Sequence, residues 1–274
     1  MLLLALLPLV VPASAGAQVP AGTRELRVAV EPILQRSGLL DRLVPPFEAA
    51  HGVRVVISAL PAKNALELGA AGGADLVWVH APRTAVQYLN QGFFLDRRLV
   101  LFSDHVLMGP PGDPAGARGR NTTAAFRRIA QRKAPFVSRG ERGGSYAVER
   151  EIWKRADVSP REPWYLRAGT DREDALSLAA SRGAYVLVDR ADVAGLLAKG
   201  QLQVILEGIR PLRRGYHVLE VNPHRFPKVN YPDAKAFADY LLSPPAQEAI
   251  RASNAGQDGR PELIPGAGKR DPEL

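Results

Sequence analysis

Segments rich in consecutive apolar residues at Leu26–Val30, Val53–Ala59, Ala74–His80 and Val100–Pro110 alternate with stretches whose apolar residues recur at helical spacing. A run apolar at every position is buried on both faces, which an antiparallel sheet facing water does not require. Alternation of such runs with helices therefore predicts an α/β fold with a parallel sheet covered on both sides. Between the first two runs, Leu39, Leu40, Leu43, Val44 and Phe47 share one helical face, and Pro45-Pro46 is expected to kink or restart that helix.

Pro110-Pro-Gly-Asp-Pro114 is a strong loop signal, and after it the pattern starts again. Helices are expected at 123–132, 145–156, 171–182 and 191–199, with strands at 164–167, 184–188, 202–206 and 216–221. Two further helices, 233–242 and 245–253, close the pattern. A Gly-, Pro- and charge-rich tail, residues 255–274, is expected to be disordered.

Residues 1–17 hold an apolar run, Leu2–Val11, followed by small residues, as in a secretory signal peptide, although no Lys or Arg precedes the run. That run is too short to span a bilayer as a helix. The expected location is periplasmic or secreted after cleavage. The chain has no cysteine, which removes disulfides and thiolate metal sites together. Its formal net charge of +8 begins only at Arg24, and its basic residues are spread along the chain rather than interleaved with aromatics. This distribution argues against nucleic acid and for solvated surface charge with a local anion site.

The segment Ala134–Trp153 is the candidate for that site. An apolar run delivers Ser138 and Arg139 into a turn containing Gly140, Gly143 and Gly144, after which Ser145 opens a helix. The first N–H groups of a helix lack partners and carry the positive end of its dipole, so an oxyanion placed there gains several hydrogen bonds at once. Ser, Arg and Gly also compose ordinary surface turns, and this segment alone does not separate the two readings.

Several motifs carry a family likeness: Ser37-Gly-Leu-Leu-Asp41, Ala65-Leu-Glu-Leu-Gly69, Ala74-Asp75, Val79-His-Ala-Pro82, Pro135-Phe-Val-Ser-Arg-Gly140, Trp164-Tyr-Leu166, Gly183-Ala-Tyr185, Asp189-Arg190, Val221-Asn-Pro223, Val229-Asn-Tyr231 and Leu242-Ser-Pro244. In order and spacing they resemble the tungstate-binding proteins of ABC transporters, from about Leu26 to Ile250. The resemblance implies a periplasmic binding protein type II fold, with two α/β domains joined by two hinge crossings that close over an oxyanion. Domain I would hold residues 24–104 plus 222–254 and domain II residues 105–221. It further implies tungstate or molybdate as ligand, an ABC permease in the inner membrane as partner, no cofactor, no catalysis and a monomer.

Carried over by position, the resemblance implies ligand-binding roles for Ser138, Arg139 and Ser145; Gly144 is a candidate from the turn itself, where its backbone can approach an anion closely. Elsewhere the chain departs from the family. Where relatives carry a loop of four hydroxyl residues, it has Val30-Glu-Pro-Ile33. The loop before Ala65 reads Pro61-Ala-Lys-Asn64, the later glycine-rich loop reads Gly169-Thr-Asp-Arg-Glu-Asp174, and Val188 stands where a hydroxyl is usual. Glu31, Lys63 and Arg172, with Arg142 and Asp174, are thus candidates for a charged cleft suited to a changed ligand, or for pairs among themselves. Histidines 51, 80, 105, 217 and 224 lack metal-ligand spacing, and no nucleophile elbow, P-loop or dinucleotide fingerprint is present. His80 is read as structural or hinge-lining.

Overall fold

The computed structural model describes residues 24–140, 145–168, 172–190, 193, 197, 200–253 and 262–270, with the side chains of 172–174 excepted. The expected signal peptide lies outside them. Chain order is β1 (Arg24–Val30), α1 (Pro32–Arg36), α2 (Leu39–His51), β2 (Val53–Ala59), α3 (Ala62–Ala70), β3 (Leu76–Val79), α4 (Pro82–Asn90) and β4 (Arg98–Gly109). Then come α5 (Thr122–Gln131), β5 (Phe136–Ser138), α6 (Tyr146–Arg155), β6 (Tyr165–Arg167), α7 (Arg172–Arg182), β7 (Tyr185–Asp189) and β8 (Gln203–Leu206). A short 3-10 turn (Arg210–Leu212) leads to β9 (Arg213–Glu220), α8 (Tyr231–Leu242), α9 (Pro244–Ala252) and β10 (Leu263–Pro265).

The strands follow one path, β2-β1-β3-β9-β4-β7-β5-β6, with β8 and β10 also on β4. Pairs β1/β2, β1/β3, β5/β6 and β5/β7 are parallel, as the continuous apolar runs imply. Strands β4 and β9 depart from that expectation, because each is antiparallel to its neighbours. Hydropathy reports that a strand is buried but not which way its partners run. Strand β4 serves two neighbourhoods: Arg98–Asp104 pairs with β9, whereas His105–Met108 pairs with β7.

Helices cover both faces throughout. Around β1–β3, one face packs Leu39, Leu43 and Phe47 of α2 with Phe237 and Leu241 of α8, and the other packs Leu66 of α3 with Val77 and Phe94. Around β5–β7, Phe126 of α5 and Trp153 of α6 meet Phe136, while Ala175 and Ala179 of α7 meet Val106 and Val186 on the opposite side.

Two local expectations change. Helix α2 runs through Pro45 and Pro46 without ending. The carbonyls that these prolines leave unpaired belong to Asp41 and Arg42, both exposed, so water can satisfy them. The tail is not disordered throughout: Leu263–Pro265 forms β10, antiparallel to β4, with Leu263 buried. Three apolar residues flanked by Gly, Pro and charge are too few to outweigh composition in a sequence reading, yet they suffice to cover a strand edge.

Candidate functional site

Strand β1 ends at Val30, and the next residue, Glu31, accepts a hydrogen bond from the His80 backbone N–H just past β3 (2.6 Å). Its other oxygen lies 3.6 Å from a guanidinium nitrogen of Arg214 on β9. Arg214 also donates to Asp189 at the end of β7 (3.1 Å). Asp189 accepts in turn from Arg139, just past β5 (3.3 Å). His105 Nδ1 sits 3.2 Å from the same carboxylate. Two carboxylates and two guanidinium groups thus form one chain across the ends of β1, β5 and β7, backed by β4 and β9.

Burial pushes the Glu31 carboxyl above its ordinary value, although Arg214 and the His80 N–H pull it down. For Asp189 burial would also raise it, but His105, Arg214 and Arg139 together hold it well below the usual carboxylate range. Burial pushes His80 and His105 down, with Arg214 adding to it, so both rings are neutral at physiological pH. His80 donates Nδ1–H to the Gly215 carbonyl (3.1 Å), which fixes its tautomer.

A cavity of about 900 Å³ opens beside this chain. Glu31, His80 and Pro82 form one wall, Ala147, Val148 and Ile152 of α6 form the other, and Arg214 reaches it from β9. Its size and its position between two helix-covered units suit a small ligand. Arg83, Arg155, Arg210 and Arg213 also line it, giving it a cationic cast offset only by Glu31 and Glu151.

Behind α6 the anion turn is anchored from below. Ser145 donates its hydroxyl to the Leu187 carbonyl (2.9 Å), tying the start of α6 to β7. Ser138 accepts from the Gly140 N–H (3.2 Å). On the first turn of α6, Glu149 accepts from the Tyr165 hydroxyl (2.7 Å), and burial pushes its carboxyl up to about 7.

Of the residues singled out from sequence, Glu31 and Arg139 enter the charged chain. Ser138 and Ser145 are fully buried and spend their hydroxyls on the structural bonds just described, and Ser145 does not cap α6 with its side chain. Lys63 stands apart: its side chain is 80% exposed and pairs with Glu67 one helical turn on. Such a pair is a solvated helix face. Gly144 and Arg142 lie outside the described residues, as do the side chains of Arg172 and Asp174. The side chains of this chain of contacts that sequence reasoning missed are Arg214 and His105; Asp189 entered it only as part of a motif. No signal in local spacing marks them, because their partners are far along the chain.

Residues 16–245 match the model of the PBP superfamily domain. The chain belongs to the PBP superfamily. A Haloferax volcanii protein named as an ABC transporter anion-binding protein is 36% identical over 260 residues, covering 92% of this chain and 75% of its own. The tungstate-binding protein TupA of Peptoclostridium acidaminophilum is 31% identical over 85% of this chain and 82% of its own. The solved structure of the tungstate-binding protein TupA from Desulfovibrio alaskensis G20 superposes with a TM-score of 0.82 at 30% identity, covering 89% of this chain and all of that one.

Proposed function

We propose that this chain is the extracytoplasmic solute-binding protein of an ABC transporter and captures tungstate or a related tetrahedral oxyanion such as molybdate. The observation that carries this reading is that Arg139 and Arg214 converge on Asp189 beside a cavity that Arg214 and the N-terminal half of α6 line, in a chain whose relatives are named for tungstate binding. Arg139 is the proposed principal contact, with the Ser138–Ser145 turn, Gly144 included, supplying backbone N–H groups. Residues 24–104 plus 222–254 and residues 105–221 would close about the crossings at Val100–Pro110 and Tyr216–Val221. Closure would present a surface to a membrane permease, with the binding protein acting as a monomer after removal of residues 1–17. The function is binding, not catalysis. Among the described residues no helix is long and apolar enough to cross a membrane.

One observation favours a second reading, a module of the same fold with an exchanged ligand. Glu31 and Asp189 already balance Arg139 and Arg214 in charge, which suits a ligand bearing both signs. Calorimetric titration with tungstate, molybdate, sulfate and phosphate separates the two. The oxyanion reading expects tungstate or molybdate to bind, and R139A to weaken that binding by about 100-fold, as loss of a charge-assisted contact does. If none of the four anions binds, the exchanged-ligand reading stands in its place.

A further inference from the structure

The charge count of the cleft poses a problem that any oxyanion must solve. Glu31 and Asp189 carry two negative charges, Arg139 and Arg214 carry two positive ones, and the neighbouring His80 and His105 are neutral. Arg83, Arg155, Arg210 and Arg213 also line the cavity and draw an anion in, but a dianion seated against this wall meets the ionised Glu31 directly, and that local contact is repulsive. The side chains concerned are largely out of water: Arg139 is 8% exposed, Arg214 10% and Glu31 14%. In such surroundings like charges repel far more strongly than in bulk solvent. The cheapest relief is one proton, drawn from solvent.

The two carboxylates are not equivalent acceptors of that proton. Asp189 is gripped by Arg139, Arg214 and His105 together. Glu31 has a single guanidinium near it, at 3.6 Å, and a single N–H bond, to the oxygen that faces His80. Resting on the oxyanion reading of this cleft, we propose that Glu31 takes up a proton as the anion binds, and that its carboxyl then donates a hydrogen bond to the ligand. The proton would sit on the oxygen facing Arg214, since the other already accepts from the His80 N–H. Protonation there also releases Arg214 from one of its two carboxylate partners and turns a repelling group into a donor.

Burial already biases Glu31 toward its neutral form. Around it stand Arg214 and Tyr216 on β9, His80 beyond β3 and Asp189 on β7. Farther out, Arg83 on α4, Glu151 and Arg155 on α6, and Arg213 line the same cavity. Of these, Glu151 is the competing acid on the cavity wall and Asp189 the one in the charged chain beside it, and Glu149, next to Ser138 and Tyr165, is the competing acid of the anion turn. Burial prevails at Glu31, whereas at Asp189 the contacts with His105, Arg214 and Arg139 prevail over burial, so the pair divides into a proton acceptor and a fixed anion.

The test is calorimetric titration of the full chain with sodium tungstate and, separately, sodium molybdate, from about pH 6.5 to about pH 8.5. Each titration is run in two buffers of different ionisation enthalpy, so that protons taken up per anion are counted directly. The expected wild-type result is close to one proton per anion, with affinity falling about tenfold per pH unit. In E31Q, uptake falls to near zero and affinity becomes flat with pH, because the amide is already a neutral donor. Anion binding in wild type with no proton uptake overturns the proposal and leaves the oxyanion reading intact. Uptake that persists in E31Q but disappears in E149Q also overturns it, placing the proton beneath the turn. If neither anion binds wild type or E31Q at any pH, the oxyanion reading itself fails and this proposal with it. Should E31Q not fold, uptake that persists in E149Q supports the proposal and uptake lost in E149Q overturns it.

Discussion

Glu149 is fully buried on the first turn of α6, and its carboxyl, ordinarily near 4.5, is pushed up to about 7 by burial. The Tyr165 hydroxyl donates to it, and the side chains of Ser138 and Trp153 face it, but these partners only partly offset the loss of water. Substitution by Gln removes the titration while keeping an oxygen for Tyr165. Because the folded chain holds this proton more tightly than the unfolded chain, it binds more protons between pH 4.5 and 7. Stability contributed by the neutral acid is therefore complete below about pH 4.5, is lost as pH rises towards about 7, and stays lost above that. A displacement from 4.5 to about 7 corresponds to about 3 kcal/mol in all. Since part of the loss has already occurred at pH 5, about 2.5 kcal/mol falls between pH 5 and pH 8.

Urea unfolding of wild type and E149Q at those two pH values is the assay. Every other titrating group is common to both proteins, so the quantity to follow is the stability of E149Q minus that of wild type. It is expected to rise by about 2.5 kcal/mol from pH 5 to pH 8. A difference that stays constant within about 0.5 kcal/mol would mean that Glu149 is ionised inside the fold at neutral pH, and the desolvation argument would be refuted.

Three further outcomes follow from packing and pairing. Asp75 is fully buried and accepts from the Arg27 guanidinium (2.6 Å) and from the N–H groups of Arg27 and Asn230, so D75N is expected to cost about 3 kcal/mol in urea unfolding. A Cβ on Gly69 would meet Val77 at 2.7 Å and Phe94 at 2.8 Å; G69A gains about 1 kcal/mol of helix propensity but loses more to overpacking, giving a lower melting temperature. Leu263 is 2% exposed where β10 covers β4, so L263A should lose about 2–3 kcal/mol, whereas a disordered tail would show no change.

The elements that sequence revealed are those whose signal is local. The runs at Val53–Ala59 and Ala184–Val188 read as strands because they are rich in apolar residues, and both fall on strands with parallel neighbours on at least one side. Arg139 could be found because a Ser-Arg-Gly turn before a helix has a physical reason to attract an anion. Arg214 could not, since the reading began β9 at Tyr216 and left Arg213-Arg214 in a connection, whereas the strand starts at Arg213. Glu31 was visible as an anomaly, but its hydrogen bond to His80 and its contact with Arg214 join residues that only the β1-β3-β9 order brings together.

That order also explains a regularity of the crossing region that no linear motif displays. Three adjacent charged or imidazole pairs, Asp104-His105, Asp189-Arg190 and Arg213-Arg214, lie on or directly after paired strands, where successive side chains point to opposite faces. The members on one side, His105, Asp189 and Arg214, form the cleft chain that continues to Arg139 and Glu31. Those on the other side meet separately: Arg190 lies 4.0 Å from Asp104 and bonds Glu207 (2.7 Å), and Arg213 lies 3.9 Å from Asp104. Each dipeptide thus places one side chain in the cleft chain and one among the contacts that fasten the crossing strands. A one-residue slip in β4 or β9 would exchange the two sets, placing Asp104 or Arg213 where the cleft has His105 or Arg214. The register at the crossing therefore fixes the electrostatics of the site as firmly as the identity of the residues does.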